Sequence, residues 1–144
     1  MKKKIKIKYA HEKMPHVEKI SVGDWIDLST AHPYQLSKGE FKLLSLGVSI
    51  QLPKGYEAIV VPRSSTFGRY GIIMTNGIGV IDESYCGDND VWKFPAYAVK
   101  DTEIPAGTRI AQFRIVKHQP SLQFTEVSTL NNANRGGIGS TGTN

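Results

Sequence analysis

No stretch of this chain carries apolar residues at helical spacing over three turns, so strands are the elements to look for. What recurs is a series of short apolar runs, each closed by turn residues. "EFKLLSLGVSIQL" and "YEAIVV" are separated by "PKG", where Pro53 presets φ and Gly55 permits a positive one. "GIIMT", "IGVI", "VWKFPAYAV", "RIAQFRIV" and "LQFTEV" follow, the last three divided by "KDTEIPAG" and "KHQPS". Near the start, "KIKIKYA" alternates Lys with Ile5, Ile7 and Tyr9, the period of a half-buried strand. Many short strands at fairly even spacing predict an all-β sandwich, barrel or jelly roll.

The 144 residues suit one domain that buries its core without disulfides. The low-complexity end, "NRGGIGSTGTN", buries nothing of its own, so the division expected is a β-domain over 1–130 and a flexible glycine-rich arm over 131–144. A net charge of +5 favours anionic partners without choosing among nucleotide, nucleic acid and membrane surface. Cys86 is the lone cysteine, which suits a reducing interior. Lys2–Lys4 lead into an alternating strand rather than a continuous apolar segment, and no run is long enough to cross a bilayer. A cytoplasmic protein is expected.

Three stretches can carry chemistry. "VVPRSSTFGRYG" runs from an apolar strand into Arg63, Ser64 and Ser65; guanidinium and hydroxyl donors suit phosphate oxygens, although serines in a turn also cap their own backbone. "TNGIGVIDESYCGDND" places Asp82 after an apolar pair, with Tyr85 three residues on. A partly desolvated carboxyl there has its pKa raised toward the working range of a general base; the alternative is an Asp that stabilises a turn. The Asp88–Asp90 string lacks the rest of a calcium loop. In "PAGTRIAQF", strict alternation turns Arg109 and Ala111 one way and Ile110 and Gln112 the other. Gln112 then needs a hydrogen-bond partner, in the protein or in a ligand. His11, His16, His32 and His118 show no zinc spacing, and phosphate-loop and GxSxG motifs are absent.

In order along the chain, "WIDLS" (25–29), "PRSSTFGRYG" (62–71), "NGIGVIDESYCGD" (76–88), "GTRIAQ" (107–112) and "RGGIGSTG" (135–142) resemble the five motifs of the trimeric dUTPase family. The resemblance implies a jelly-roll homotrimer with sites shared between subunits. It also implies Mg²⁺-dependent hydrolysis of dUTP to dUMP and pyrophosphate, which keeps uracil out of DNA and supplies dUMP for dTTP synthesis. By the same resemblance Asp82 activates the water that attacks the α-phosphorus, and Tyr85 packs under the deoxyribose. Asn76 and the backbone through Val80, Ile81 and Asp82 read uracil. Arg63, Ser64, Ser65 and Gln112 face the phosphates, and Asp27 supports them. Arg135, Ser140 and Thr141, with the amides of Gly137 and Gly139, close on the γ-phosphate from a neighbouring subunit. No protein side chain is expected to ligate the metal, which phosphates and water hold.

The chain departs from the family pattern at Ile138, where a Phe usually covers the base, so Trp92 or Phe94 is expected to cover it instead, with Lys93 on the opposite strand face. The first motif also lacks the Gly two places before Asp27. A dCTP deaminase of the same fold needs a catalytic Glu beyond the third motif, and none follows Gly87 before Glu103. A non-catalytic binding module has no use for Arg63, Asp82, Tyr85 and Gln112 together. Direct nucleic-acid binding, which rests on net charge alone, is not expected.

Overall fold

The computed structural model describes residues 2–142. Along them run β1 (Lys6–Tyr9), β2 (Ile26–Ser29), β3 (Tyr34–Leu36), β4 (Phe41–Ser45), β5 (Val48–Gln51) and β6 (Tyr56–Pro62). After a short helix α1 (Thr66–Tyr70) come β7 (Ile72–Met74), β8 (Gly79–Ile81), β9 (Lys93–Ala98), β10 (Thr102–Ile104) and β11 (Arg109–Lys117). Every pairing is antiparallel, in sheets ordered β1-β5, β10-β3, β2-β11-β6-β8 and β4-β9-β7. This is the all-β, jelly-roll-like architecture that the run of short strands predicts.

Alternation sets which face is buried. In β9, Phe94, Ala96 and Ala98 point into the core while Lys93 and Tyr97 stay exposed. The long run over residues 40–52 is two strands, because Gly47 breaks it at φ 67. A Cβ at Gly47 would also lie 2.5 Å from the Met14 sulfur, so both backbone and space require glycine. The turn before β6 forms as expected, with the Tyr56 amide donating to the Pro53 carbonyl at 3.1 Å and Gly55 at φ 83.

The core gathers Leu28, Leu36, Leu44, Trp92, Phe94, Ile110 and Phe113. Trp92 and Phe94 are both 0% exposed, and Trp92 meets Phe113 edge-on at 5.1 Å. This overturns the expectation that either covers a base. Both side chains are spent on core packing, and the exposed members of that strand are Lys93 and Tyr97.

Two further expectations change. "LQFTEV" forms no strand: after Lys117 the described chain carries no element, every residue is exposed, and Phe124 is 93% exposed. Apolar alternation makes a strand only where an edge is available to pair with, and within one chain this segment meets none. α1 was not legible because five residues are too few to display a helical period; Gly71 ends it, left-handed, its amide bonded to the Phe67 carbonyl at 2.8 Å. No helix of the described residues is long and apolar enough to cross a membrane.

Candidate active site

Three neighbouring strands build the first cluster. Gln112 on β11 lies opposite Asp27 on β2 and Val61 on β6, and Arg63 follows immediately after β6. Asp27 joins two cations, Oδ1 at 3.2 Å from Arg63 Nε and Oδ2 at 3.3 Å from Arg109 Nη1. Arg63 also donates to the Arg109 carbonyl at 3.4 Å. The turn is tied down beneath. The Arg63 amide donates to Thr66 Oγ1 at 3.1 Å, and the buried Thr66 hydroxyl donates to the Ile110 carbonyl at 2.7 Å. Gln112 Nε2 donates to the Pro62 carbonyl at 3.2 Å, so its amide oxygen is left for another donor. Ser64 is exposed and Ser65 half-buried. A cleft of about 210 Å³ between residues 14–20 and Trp25–Ser29 opens beside Asp27 and Arg109.

Arg109 was not among the expected site residues, and strict alternation is the reason. The pairing of β11 with β2 shifts register between Arg109 and Ala111, so Ile110 and Ala111 are both buried and Arg109 swings onto Asp27. The signal available in sequence was the pair of polar residues bracketing "IA" in "GTRIAQ". At the altered first motif, Trp25 carries the Arg114 guanidinium over its ring at 5.5 Å, and Arg114 pairs with Asp24 at 3.1 Å.

The second cluster sits where β8 ends. Asp82 is exposed, and its Oδ1 accepts from the Ser84 hydroxyl at 2.5 Å and the Ser84 amide at 2.8 Å. The expectation of a raised pKa is therefore reversed. The Ser84 hydroxyl, then the Ser84 amide, hold the carboxyl below its usual value; slight burial opposes them and the nearby His118 adds a smaller lowering. The Tyr85 amide donates to the Asp82 carbonyl at 3.0 Å, and its hydroxyl donates to the Val91 carbonyl at 3.2 Å. Val80 is 63% exposed on an edge strand, Ile81 packs against the core, and Asn76 is exposed in the turn before β8. The acidic string beyond Tyr85 serves that loop: Asp90 accepts the Gly87 amide at 2.8 Å, and the Asp88 carbonyl accepts from Ser49 at 3.2 Å.

The two clusters do not meet. Ile81 pairs with Ala58, which carries Asp82 to the level of Glu57 near the start of β6, whereas Arg63 lies past its end. Six residues of strand, at about 3.3 Å each, put roughly 20 Å between them. The arm meets neither. Arg135, Gly137, Ile138, Gly139, Ser140 and Thr141 are all exposed, and the Ser140 amide bonds to the Gly137 carbonyl at 2.8 Å. No hydrogen bond or ion pair among the described residues links these six to either cluster. Nor do the described residues gather three or more His, Cys, Asp or Glu side chains able to hold a metal.

Comparison with known proteins identifies the family and the fold. The dUTPase family model matches residues 21–143. The SPbeta prophage-derived deoxyuridine 5'-triphosphate nucleotidohydrolase YosS of Bacillus subtilis is 58% identical over 139 residues, covering 96% of this chain and 98% of that protein. Among solved structures, the Staphylococcus bacteriophage 80alpha dUTPase with dUpNHpp superposes at a TM-score of 0.78 with 20% identity, over 99% of this chain and all of that one. The dUTPase of phage phi11 of S. aureus, described with a structural Mg(II) ion, gives 0.77 at 15% identity, over 90% of this chain and 100% of that one. At these identities the structural matches speak to the fold.

Proposed function

The chain belongs to the dUTPase family, and from that premise we propose that it hydrolyses dUTP to dUMP and pyrophosphate through a water that Asp82 orients. The water oxygen bonds to the α-phosphorus, the bond from that phosphorus to the bridging oxygen breaks, and pyrophosphate leaves. The water's proton passes to the Asp82 carboxylate and from there to solvent. A carboxyl held low by Ser84 is fully ionised at neutral pH, so it is always ready to accept. Its contribution is placement and charge more than basicity.

Arg63, Ser64, Ser65 and Gln112 supply the donors for the phosphates, with Asp27 and Arg109 holding the Arg63 fork in place. β8 is an edge strand, so alternate backbone groups along Gly79–Ile81 have no strand partner and can read the polar edge of uracil. Asn76 and Tyr85 flank it. Arg135, Ser140 and Thr141, with the Gly137 and Gly139 amides, close over the triphosphate, and Ile138 occupies the position from which the base is covered. Mg²⁺ would neutralise triphosphate charge; the absence of a carboxylate or imidazole cage among the described residues fits an ion carried by phosphate oxygens and water. The separation of about 20 Å supports a homotrimer in which one subunit's Asp82 serves a neighbour's Arg63. The reaction is placed in the cytoplasm, of a host if the chain is viral.

The observation that carries this reading is the family match over residues 21–143. The test measures pyrophosphate release from dUTP, dCTP, dTTP and UTP, each with Mg²⁺ and with a chelator, for wild type and Asp82→Asn. Metal-dependent turnover of dUTP alone, abolished by the substitution, is expected. A folded wild-type protein without dUTP turnover would refute it.

A further inference from the structure

Three segments distant in sequence converge beside Asp82. The turn before β6 brings Gly55, the loop after β8 brings Glu83, and the end of β11 brings His118. The Glu83 carboxylate Oε2 accepts the Gly55 amide at 3.2 Å and lies 3.7 Å from His118 Nε2. The His118 amide in turn donates to the Gly55 carbonyl at 2.9 Å. These contacts close a ring of three partners. Glu83 and His118 are both about one-third exposed, at 33% and 37% of the side chain, so the ring is neither buried nor freely solvated. Glu83 is covalently next to Asp82, and His118 is the second residue of the exposed C-terminal stretch that starts at Lys117.

We propose that Glu83 and His118 form a clasp that positions Asp82 for attack and fixes where the C-terminal segment leaves the barrel. This rests on Asp82 being the base, as proposed above. Among the described residues the Asp82 carboxylate is hydrogen-bonded only by Ser84, a neighbour on its own loop. Ser84 can orient the carboxylate relative to the loop; it cannot orient the loop relative to the barrel. Between Ile81, where the β8 ladder ends, and Asp88, whose carbonyl is held by Ser49, the Glu83 contacts are what tie the Asp82 end of that loop to the barrel among the described residues. His118 also supplies a cation close to Asp82 when protonated. The charged groups that these segments bring to His118 are Asp82 and Glu83 from the loop, Lys54 from the turn and Lys117 from β11.

Neither residue touches substrate in this scheme; both are positioning residues. The test is steady-state dUTP hydrolysis with Mg²⁺ by the full chain carrying Glu83→Ala, His118→Ala or His118→Gln, alongside Asp82→Asn, with melting temperatures. Loss of the clasp misplaces the loop, so each Ala variant is expected to lose about tenfold in kcat while KM stays within about twofold. Gln keeps an N–H donor at the imidazole's reach, so His118→Gln recovers most of kcat at pH 8. It cannot carry the charge, so the acid limb of its kcat profile moves to higher pH, as in His118→Ala. Wild-type kcat in both Ala variants overturns the clasp. So does a loss that Gln fails to restore and that parallels a lowered melting temperature. If an Ala variant does not fold, His118→Gln alone decides: an unshifted acid limb overturns the proposal. Turnover retained by Asp82→Asn would instead sink the assignment of the base and leave the clasp without a purpose.

Discussion

Replacing Trp92 by Phe separates two roles for this side chain by their energetics. The indole is 0% exposed, and its Nε1–H has no hydrogen-bond partner among the described residues. The substitution removes two ring carbons and that N–H. The carbons cost about 1.6 kcal/mol in lost burial, at roughly 0.8 kcal/mol per methylene equivalent. A residual void of a few atoms adds about 1 kcal/mol. Against this, removal of a buried unpaired donor returns about 1–3 kcal/mol. Trp92→Phe is therefore expected within about 1.5 kcal/mol of wild type, whereas Trp92→Ala, which also empties the contact with Phe113, costs about 3–5 kcal/mol. Urea unfolding of both variants reads the stabilities, and dUTP hydrolysis reads the KM, which is expected unchanged for Phe. A Phe variant as unstable as the Ala variant would mean that Nε1 is satisfied in solution. A stable Phe variant with a raised KM would mean that the ring leaves the core to meet the base, and the assignment to the core would fail.

Ser84→Ala removes the hydroxyl that holds the Asp82 carboxyl low, so the carboxyl pKa rises and the acid limb of kcat/KM moves to higher pH, with the plateau at pH 8 kept; a limb that stays put refutes the role of Ser84. Stability follows the same sign. A lowered folded pKa stabilises above the ordinary Asp value and is lost as pH falls through it, so wild type and Ser84→Ala should converge in acid. Asp27→Asn strips Arg63 and Arg109 of their shared counter-ion; with both pairs partly exposed the loss is about 0.5–2 kcal/mol, seen in urea unfolding, together with a higher KM as the Arg63 fork loosens. Asp82→Asn and Arg63→Ala chains, each inactive alone, should regain about a quarter of wild-type activity when refolded as an equal mixture, because a cyclic assembly draws the two residues of one site from different copies. No recovery would place both in one chain's site.

The sequence made the strands legible where burial alternates cleanly. β1, β6 and β9 follow from runs such as "KIKIKYA" and "VWKFPAYAV", since a strand with one wet face must alternate. β3 and β10 were not legible, because three residues carry no period and their pairing is decided by contacts between residues some 70 apart. The candidate-site residues could be picked out as residue types in order, but their spatial grouping could not. The register shift in β11 brings Arg109 to Asp27, and no pattern along the chain announces it. The Asp82 environment departs from its sequence expectation for a related reason. An apolar pair before a carboxylate suggests burial, but the hairpin ends there, and the carboxylate turns to solvent and to Ser84.

The distance that β6 imposes also explains why an exposed, low-pKa carboxylate suits this chemistry. With Asp82 level with one end of the strand and Arg63 past the other, the base and the phosphate donors of the reading proposed above do not come from the same subunit. A carboxylate left in that state must be comfortable in water, and hydrogen bonds from Ser84 make it so. Burying it in advance would have raised its pKa and cost stability in every subunit that is not turning over. On the reading proposed above, dehydration is deferred until a neighbour's arginine end, the nucleotide and the arm all arrive. The base then meets the low dielectric only when the reacting phosphorus is present. The glycine-rich composition of the arm fits this timing, because its ordering entropy is charged to substrate binding and not to folding.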